Sequence, residues 1–252
     1  MSDTAITSAD IRRTYDKIKP YLRRTPIIEV EPSTLIETAL ARAVTLVLKL
    51  EQMQYAGSFK ARGAFANLLL REMPASGVVA ASGGNHGVAV AYAAAQLGVP
   101  AKIFVPTICS PAKVESIRSL GADLLLIGDR YAAALDAAQR WAAASGALSV
   151  HAFDQRETLL GQASLGLELA EQAAELDTVL VPVGGGGLIA GIAAHFLGSI
   201  RVIGVEPVGA PTLTYARARG EPTDAPTDTI AADALAPRRI GDLVFPITQS
   251  YV

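Results

Sequence analysis

The chain is poor in the residues that most often announce a chemistry: one cysteine, one tryptophan and three histidines among 252 residues. A lone cysteine excludes an internal disulfide framework and fits a reducing compartment. Cys109 lies in the turn-like Pro106-Thr107-Ile108-Cys109-Ser110-Pro111 and reads as structural rather than nucleophilic. His151 and His195 stand apart from every motif, and no metal-ligand spacing joins them. Neither sign of charge dominates: 22 Lys and Arg against 24 Asp and Glu leave a net charge of −2. With no basic run, neither nucleic acid nor an anionic membrane is an implied partner. Long apolar runs are also missing. The longest, Val88 to Pro106, is interrupted by Gln96, Gly98, Pro100 and Lys102, which argues against a membrane span. The N-terminus, with Asp3, Asp10, Arg12 and Arg13, lacks the apolar core of a signal peptide. The expectation is a soluble, cytoplasmic protein acting on a small molecule, with enough apolar sequence for one large core or two modest ones.

What the sequence does have is clustered glycine beside a single informative lysine. Lys60 sits in Ser58-Phe59-Lys60-Ala61-Arg62-Gly63. Two glycine-rich loops accompany it, Ser82-Gly83-Gly84-Asn85-His86-Gly87 and Gly184-Gly185-Gly186-Gly187. Each loop follows an apolar, strand-like run and opens an alanine-rich, helix-like one, so each can present backbone N–H groups to an anion at a sheet's carboxyl edge. The four glycines leave no side chain to block a dianion; no Walker lysine follows them and their spacing is not the dinucleotide one. Lys60 falls in the first turn of a helix, where the positive end of the macrodipole disfavours an ammonium and lowers its pKa. Ser58 reads as the cap of that helix and, in addition, a candidate substrate contact. Phe59 reads as a wall of the pocket. Ser82, Gly83, Gly84 and the amides of Asn85 and His86 form a second anion site, suited to a substrate carboxylate; the His86 ring reads equally as a core or capping group.

The chain alternates between apolar strands and helices. Helical segments are expected from Ser8 to before Pro20, over Lys60–Arg71, Asn85–Leu97, Pro111–Leu120, from an Asp129 cap to Ser145, over Glu157–Leu176 and over Leu188–Leu197. Strands are expected at Val44–Leu50 (buried), Val78–Ala81, Ala101–Val105, Asp123–Ile127, Thr178–Val183 and Arg201–Glu206. Apolar strands between helices predict an α/β architecture with parallel sheets covered on both faces. Gly220–Thr229 is the expected exposed loop. The apolar run Asp242–Ile247 should pack, although only five residues follow it.

These motifs, together with Arg24-Thr25-Pro26, Val205-Glu206-Pro207 and Phe245-Pro246-Ile247, occur in the order found in the fold type II pyridoxal phosphate enzymes. Specifically, the chain resembles their serine/threonine dehydratase group, which includes serine racemase. The resemblance implies two open parallel-sheet domains with pyridoxal 5′-phosphate between them, as in tryptophan synthase beta chains. Residues 51–145 would form the small domain, and 1–50 with 146–252 the large one. It implies Lys60 as the cofactor's covalent holder and catalytic base, Gly184 to Gly187 and Leu188 as the phosphate cradle, and Asn85 as donor to the cofactor ring oxygen. It implies an ammonia-lyase for L-threonine, L-serine or a related β-hydroxy amino acid, acting as a homodimer; β replacement of the cysteine synthase kind uses the same lysine. Departures matter too. Gly83 replaces the serine that serves the racemase as acid on the face opposite the lysine, which disfavours racemisation, although glycine there can also serve a backbone angle. Glu206 and the carbonyl of Ala210 match two ligands of a divalent cation, but Thr212 replaces the aspartate, so a monovalent ion or none is expected. Gly161-Gln162-Ala163-Ser164 replaces Gly-Gln-Gly-Thr. Family members continue beyond the position of Val252, implying a missing C-terminal part and, as a second hypothesis, a cofactor-binding fragment or pseudoenzyme.

Overall fold

A computed structural model describes residues 5–31, 44–235 and 237–252; residues 1–4, 32–43 and 236, which fall within the expected large domain, lie outside the described residues. A four-stranded parallel sheet has the order β5-β4-β3-β6. Its strands are β3 (Val78–Ala81), β4 (Ala101–Val105), β5 (Asp123–Leu126) and β6 (Leu148–Ser149). The short β6 lies just past residue 145, where the small domain was expected to end. Because successive side chains on a strand point to opposite faces, β3 serves two cores. Val78 and Ala80 pack with helices α2 (Lys60–Leu70) and α3 (Asn85–Leu97), while Val79 and Ala81 pack with α5 (Tyr131–Ser145). Alanines on α3 and α5 bring both helices close to the sheet. Helix α4 (Pro111–Arg118) adds Val114 and Ile117 to the first of these cores.

A second parallel pair, β7 (Thr178–Pro182) and β8 (Arg201–Val205), is linked through α7 (Gly187–Phe196). Its core joins α6 (Arg156–Gln172), α7, α8 (Thr212–Arg219) and α10 (Val244–Tyr251). The expected packing of the 242–247 run is seen in the buried Val244 and Phe245. A four-residue helix, α9 (Ala232–Leu235), precedes it.

Several expectations change. The Val44–Leu50 segment gives β2 (Leu46–Lys49), which pairs antiparallel with β1 (Ile27–Val30), a strand too short to show periodicity after Pro26. It is not buried; Leu48 keeps 40% of its surface. Asp129 does not cap α5: Arg130 takes the N-cap position, and the Asp129 carboxylate receives the Arg130 guanidinium instead. Helix α6 stops at Gln172, short of Leu176, because Ala173 leaves helical geometry with φ −135° and ψ 73°.

Helix α1 (Ser8–Ile18) opens with a capping box between Thr7 and Asp10 and buries Ile11 and Ile18. The contact that positions the functional region lies between α2 and α6. Gly161 on α6 permits it, since a Cβ there would stand 2.4 Å from the Arg62 carbonyl oxygen. Arg62 is wholly buried and forks onto two carboxylates: Nε and Nη2 reach Glu51 at 2.8 Å, and Nη1 and Nη2 reach Glu168 at 2.9 and 2.8 Å. Lys49 Nζ closes the network on Glu168 at 2.6 Å. Burial opposes the Arg62 charge, but its hydrogen bonds to Glu51 and Glu168 outweigh that and raise its pKa. Glu168 likewise stays below the usual carboxylate range despite burial, through its bonds to Arg62 and Lys49.

Removing one partner of a buried ion network leaves its carboxylates uncompensated, so Arg62→Met should lower the unfolding free energy by about 3–5 kcal/mol. Urea unfolding followed by circular dichroism measures this; a loss below about 1 kcal/mol would show that the network is replaceable by apolar packing.

Candidate active site

The chain enters α2 through a tight turn. Ala56 (φ 61°) and Gly57 (φ 71°) both take the left-handed conformation, which costs the alanine about 1 kcal/mol or more. Ser58 is then extended and Phe59 becomes the N-cap, without a side-chain cap bond. Ser58 therefore does not cap the helix as expected: its Oγ is buried and has no partner among the described residues. Phe59 packs against the core of the second sheet pair. Lys60 Nζ donates to the Ala152 carbonyl at 2.6 Å, and no carboxylate lies in that contact. Burial alone pushes its pKa from 10.5 down to about 8, so the expected direction is present, with desolvation as its cause in place of the macrodipole.

The four-glycine loop lies directly beyond Ala152. Phe153 packs over it, so that a Cβ on Gly185 would stand 2.4 Å from the Phe153 ring. The loop's carbonyls are held from behind: Gly184 accepts from Thr212 Oγ1 at 2.6 Å, Gly185 from Gly241 N at 3.2 Å and Gly186 from Ala190 N at 2.9 Å. Gly186 (φ 84°) turns the chain into α7. The N–H groups from Gly184 to Ile189, Leu188 included, have no acceptor among the described residues. The four glycines and Ile189 are buried, and Leu188 is half-buried. Buried, unpaired N–H donors are rare. A run of them at a helix start fits a bound dianion.

The Ser82–Gly87 loop is built in the same way. Ser82 N bonds the Phe104 carbonyl at 3.0 Å, and Gly84 N bonds Ser82 Oγ at 3.1 Å. The first helical bond runs from Val88 N to the Gly84 carbonyl at 3.2 Å. The N–H groups of Gly83, Asn85, His86 and Gly87 are thus unpaired among the described residues, and the Asn85 side chain is exposed. The His86 ring is a core group: Nε2 lies 2.9 Å from the Val150 carbonyl, and burial followed by the Lys60 charge pushes its pKa down to about 3. Only its backbone amide faces the loop's open side.

His151 departs from expectation. Burial lowers its pKa, opposed by the Asp154 charge and aided by that of Lys60, and it directly precedes Ala152, whose carbonyl holds the lysine. Its Nδ1 accepts from Asp154 N at 2.9 Å, which leaves the ring proton on Nε2. His151, Ala152 and Phe153 were missed because β6, which delivers them to the sheet's carboxyl edge, spans only two residues. His195, on α7, does stand apart, packed against Gly166 of α6. Glu206 caps α8: its carboxylate accepts from Leu213 N at 2.6 Å, Thr214 N at 2.9 Å and Thr214 Oγ1 at 2.7 Å. These bonds give the Glu206 carboxylate a capping role at the start of α8.

The site therefore combines a poorly solvated amine, suited to an aldehyde, with a backbone cradle for a dianion. The family described as pyridoxal-phosphate dependent enzymes matches residues 18–252. The chain belongs to that family. It is 36% identical over 99% of its length to an L-threonine ammonia-lyase of Geobacter sulfurreducens and 42% identical over 87% to a phenylserine dehydratase of Ralstonia pickettii. It spans 61% and 67% of those two relatives. The structure of maize serine racemase superposes with a TM-score of 0.91 at 33% identity, covering 98% of this chain and 75% of that one. As a member of this family the chain uses pyridoxal phosphate, and the lysine and glycine loop fit an aldehyde and a phosphate on one molecule.

Three outcomes are expected. Borohydride treatment of cofactor-loaded protein should place the pyridoxyl group on Lys60 by peptide mapping. The rate of aldehyde capture should rise with pH and level off above about 8, where the amine is neutral; a rise continuing toward 10.5 would indicate a solvated lysine. Gly185→Asp should abolish cofactor retention in equilibrium dialysis, since the side chain meets Phe153 and its carboxylate repels a dianion. Wild-type retention would place the phosphate elsewhere.

Proposed function

We propose that the chain carries the active centre of an ammonia-lyase that converts L-threonine, L-serine or a related β-hydroxy amino acid into a 2-oxo acid and ammonia. The observation that carries this reading is a half-buried lysine whose amine contacts no carboxylate among the described residues, together with two loops whose N–H groups have no acceptor among them. The names of the relatives support it, since both act by elimination.

The residues divide the work. The N–H groups of Gly184 to Ile189, with Leu188 beside them, hold the phosphate, and Asn85 donates to the ring oxygen. Ser58, with its orphaned buried hydroxyl, and the N–H groups of the Ser82–His86 loop hold the substrate carboxylate. When bound, the cofactor supplies the electron sink that makes the α-proton acidic. Lys60, with a pKa near working pH, accepts that proton at Nζ. The β-hydroxyl leaves the same substrate together with a proton, as water, which balances the α-proton taken by Lys60 and completes the elimination. The enamine released is hydrolysed in water to the oxo acid and ammonia.

Gly83 offers no acid on the face opposite Lys60. Incubation with a panel of β-hydroxy amino acids should yield oxo acid, and chiral chromatography should find very little D-serine beside pyruvate when L-serine is supplied. Substantial D-serine would mean that water or another group delivers the proton; no oxo acid from any member of the panel would remove the lyase reading.

A further inference from the structure

Unpaired N–H groups select an anion only if the peptides carrying them are held in place. Around Gly83 there are three fastenings. Two are the bonds of Ser82 N and Gly84 N already described. The third is Cys109, whose Sγ donates to the Gly83 carbonyl at 3.2 Å. Among the described residues the thiol is the partner of that carbonyl, so it sets the direction of the peptide joining Gly83 to Gly84. Its own turn is anchored: Cys109 N bonds the Pro106 carbonyl at 3.1 Å, and Thr107 N and Oγ1 both reach the Gly128 carbonyl at 2.8 Å.

The sulfur also fills the space beside Gly83. A Cβ added to Gly83 would stand 2.0 Å from Cys109 Sγ and 2.9 Å from Val105 Cγ1. Gly83 is absent from the residues with positive φ, so a special backbone angle is not what requires glycine. Contact with Cys109, and to a lesser extent with Val105, is. The alanine Cβ that would remain at position 109 lies at the 3.2 Å of the present Cys109 Cβ, a separation that a small shift relieves.

We propose that Cys109 is a positioning residue for the carboxylate-binding loop: its thiol aims the peptide after Gly83, and its bulk reserves position 83 for glycine. This rests on the reading that the Ser82–His86 loop takes the amino-acid carboxylate. The one cysteine of the chain then acts on substrate affinity without touching substrate. It also means that Gly83→Ser alone cannot place a hydroxyl opposite Lys60, because the new side chain displaces the loop before it can serve as an acid.

The test uses cofactor-loaded protein and L-alanine, which has no β leaving group, with Kd read from the change in cofactor absorbance. Cys109→Ala should raise Kd roughly threefold, the scale of one lost weak hydrogen bond, and Cys109→Ser, whose hydroxyl still donates, should restore it. Gly83→Ala should raise Kd more than Cys109→Ala does, and adding Cys109→Ala to it should recover part of the loss. Thermal midpoints without amino acid should show the same rescue. Equal Kd for Cys109→Ala, Gly83→Ala and the unmodified protein would overturn the proposal, as would Cys109→Ser behaving like Cys109→Ala. Failure of the unmodified, loaded protein to bind L-alanine would instead remove the carboxylate reading of the loop, and the proposal with it; the thermal midpoints report the contact of residues 83 and 109 independently.

Discussion

The site depends on a charge network buried between α2 and α6. Arg62 lies two positions after Lys60 on the same helix, so its double fork fixes how α2 is rotated and how far along its axis it sits. Ion pairs of this kind contribute little net stability compared with apolar packing, because desolvation offsets attraction. What the fork adds is direction. It also commits the carboxylates of Glu51 and Glu168 to Arg62 and Lys49. Lys60 is left with a carbonyl as its partner, and an ammonium without a counter-ion loses its proton more readily. One network therefore places the amine and keeps it from being neutralised by a carboxylate.

The two loops proposed to bind anions offer backbone N–H groups alone, which suits the neighbouring lysine. A second amine in the phosphate cradle would compete for the aldehyde. Helix N-termini supply positive potential without a nucleophile. Both loops leave a parallel strand at its carboxyl end and open an apolar helix, the first from β3 into α3 and the second from β7 into α7. No described helix is long and apolar enough to cross a membrane.

Much of this was legible in the sequence, and the limits are physical. Strands β3 and β4 and helix α3 fall where apolar runs end at glycine or proline, because those residues punctuate the chain locally. The antiparallel β1–β2 pair was not legible, since its four-residue strands carry no period long enough to read and their pairing is a tertiary property. Lys60 and the glycine loops could be proposed from the sequence because their chemistry is tied to residue type. The roles of His151, Phe153 and Cys109 were not: each acts through a contact distant in sequence. Ser58 shows how a local rule fails, for a serine before a helix has high capping propensity, yet the left-handed turn at Ala56 and Gly57 moves the cap to Phe59. Glu206 caps α8 from outside the helix, a bond that the sequence spacing does not show.

The central claim is that a backbone cradle and the half-buried Lys60 amine bind the two ends of one cofactor independently of each other. Amide ¹⁵N–¹H NMR of the Lys60→Ala variant separates them, because the variant retains the cradle and lacks the amine. Addition of pyridoxal phosphate should move the amide resonances of Gly184 through Ile189 downfield while no covalent adduct forms. Unmoved resonances in that segment, or larger shifts at another helix N-terminus, would contradict it.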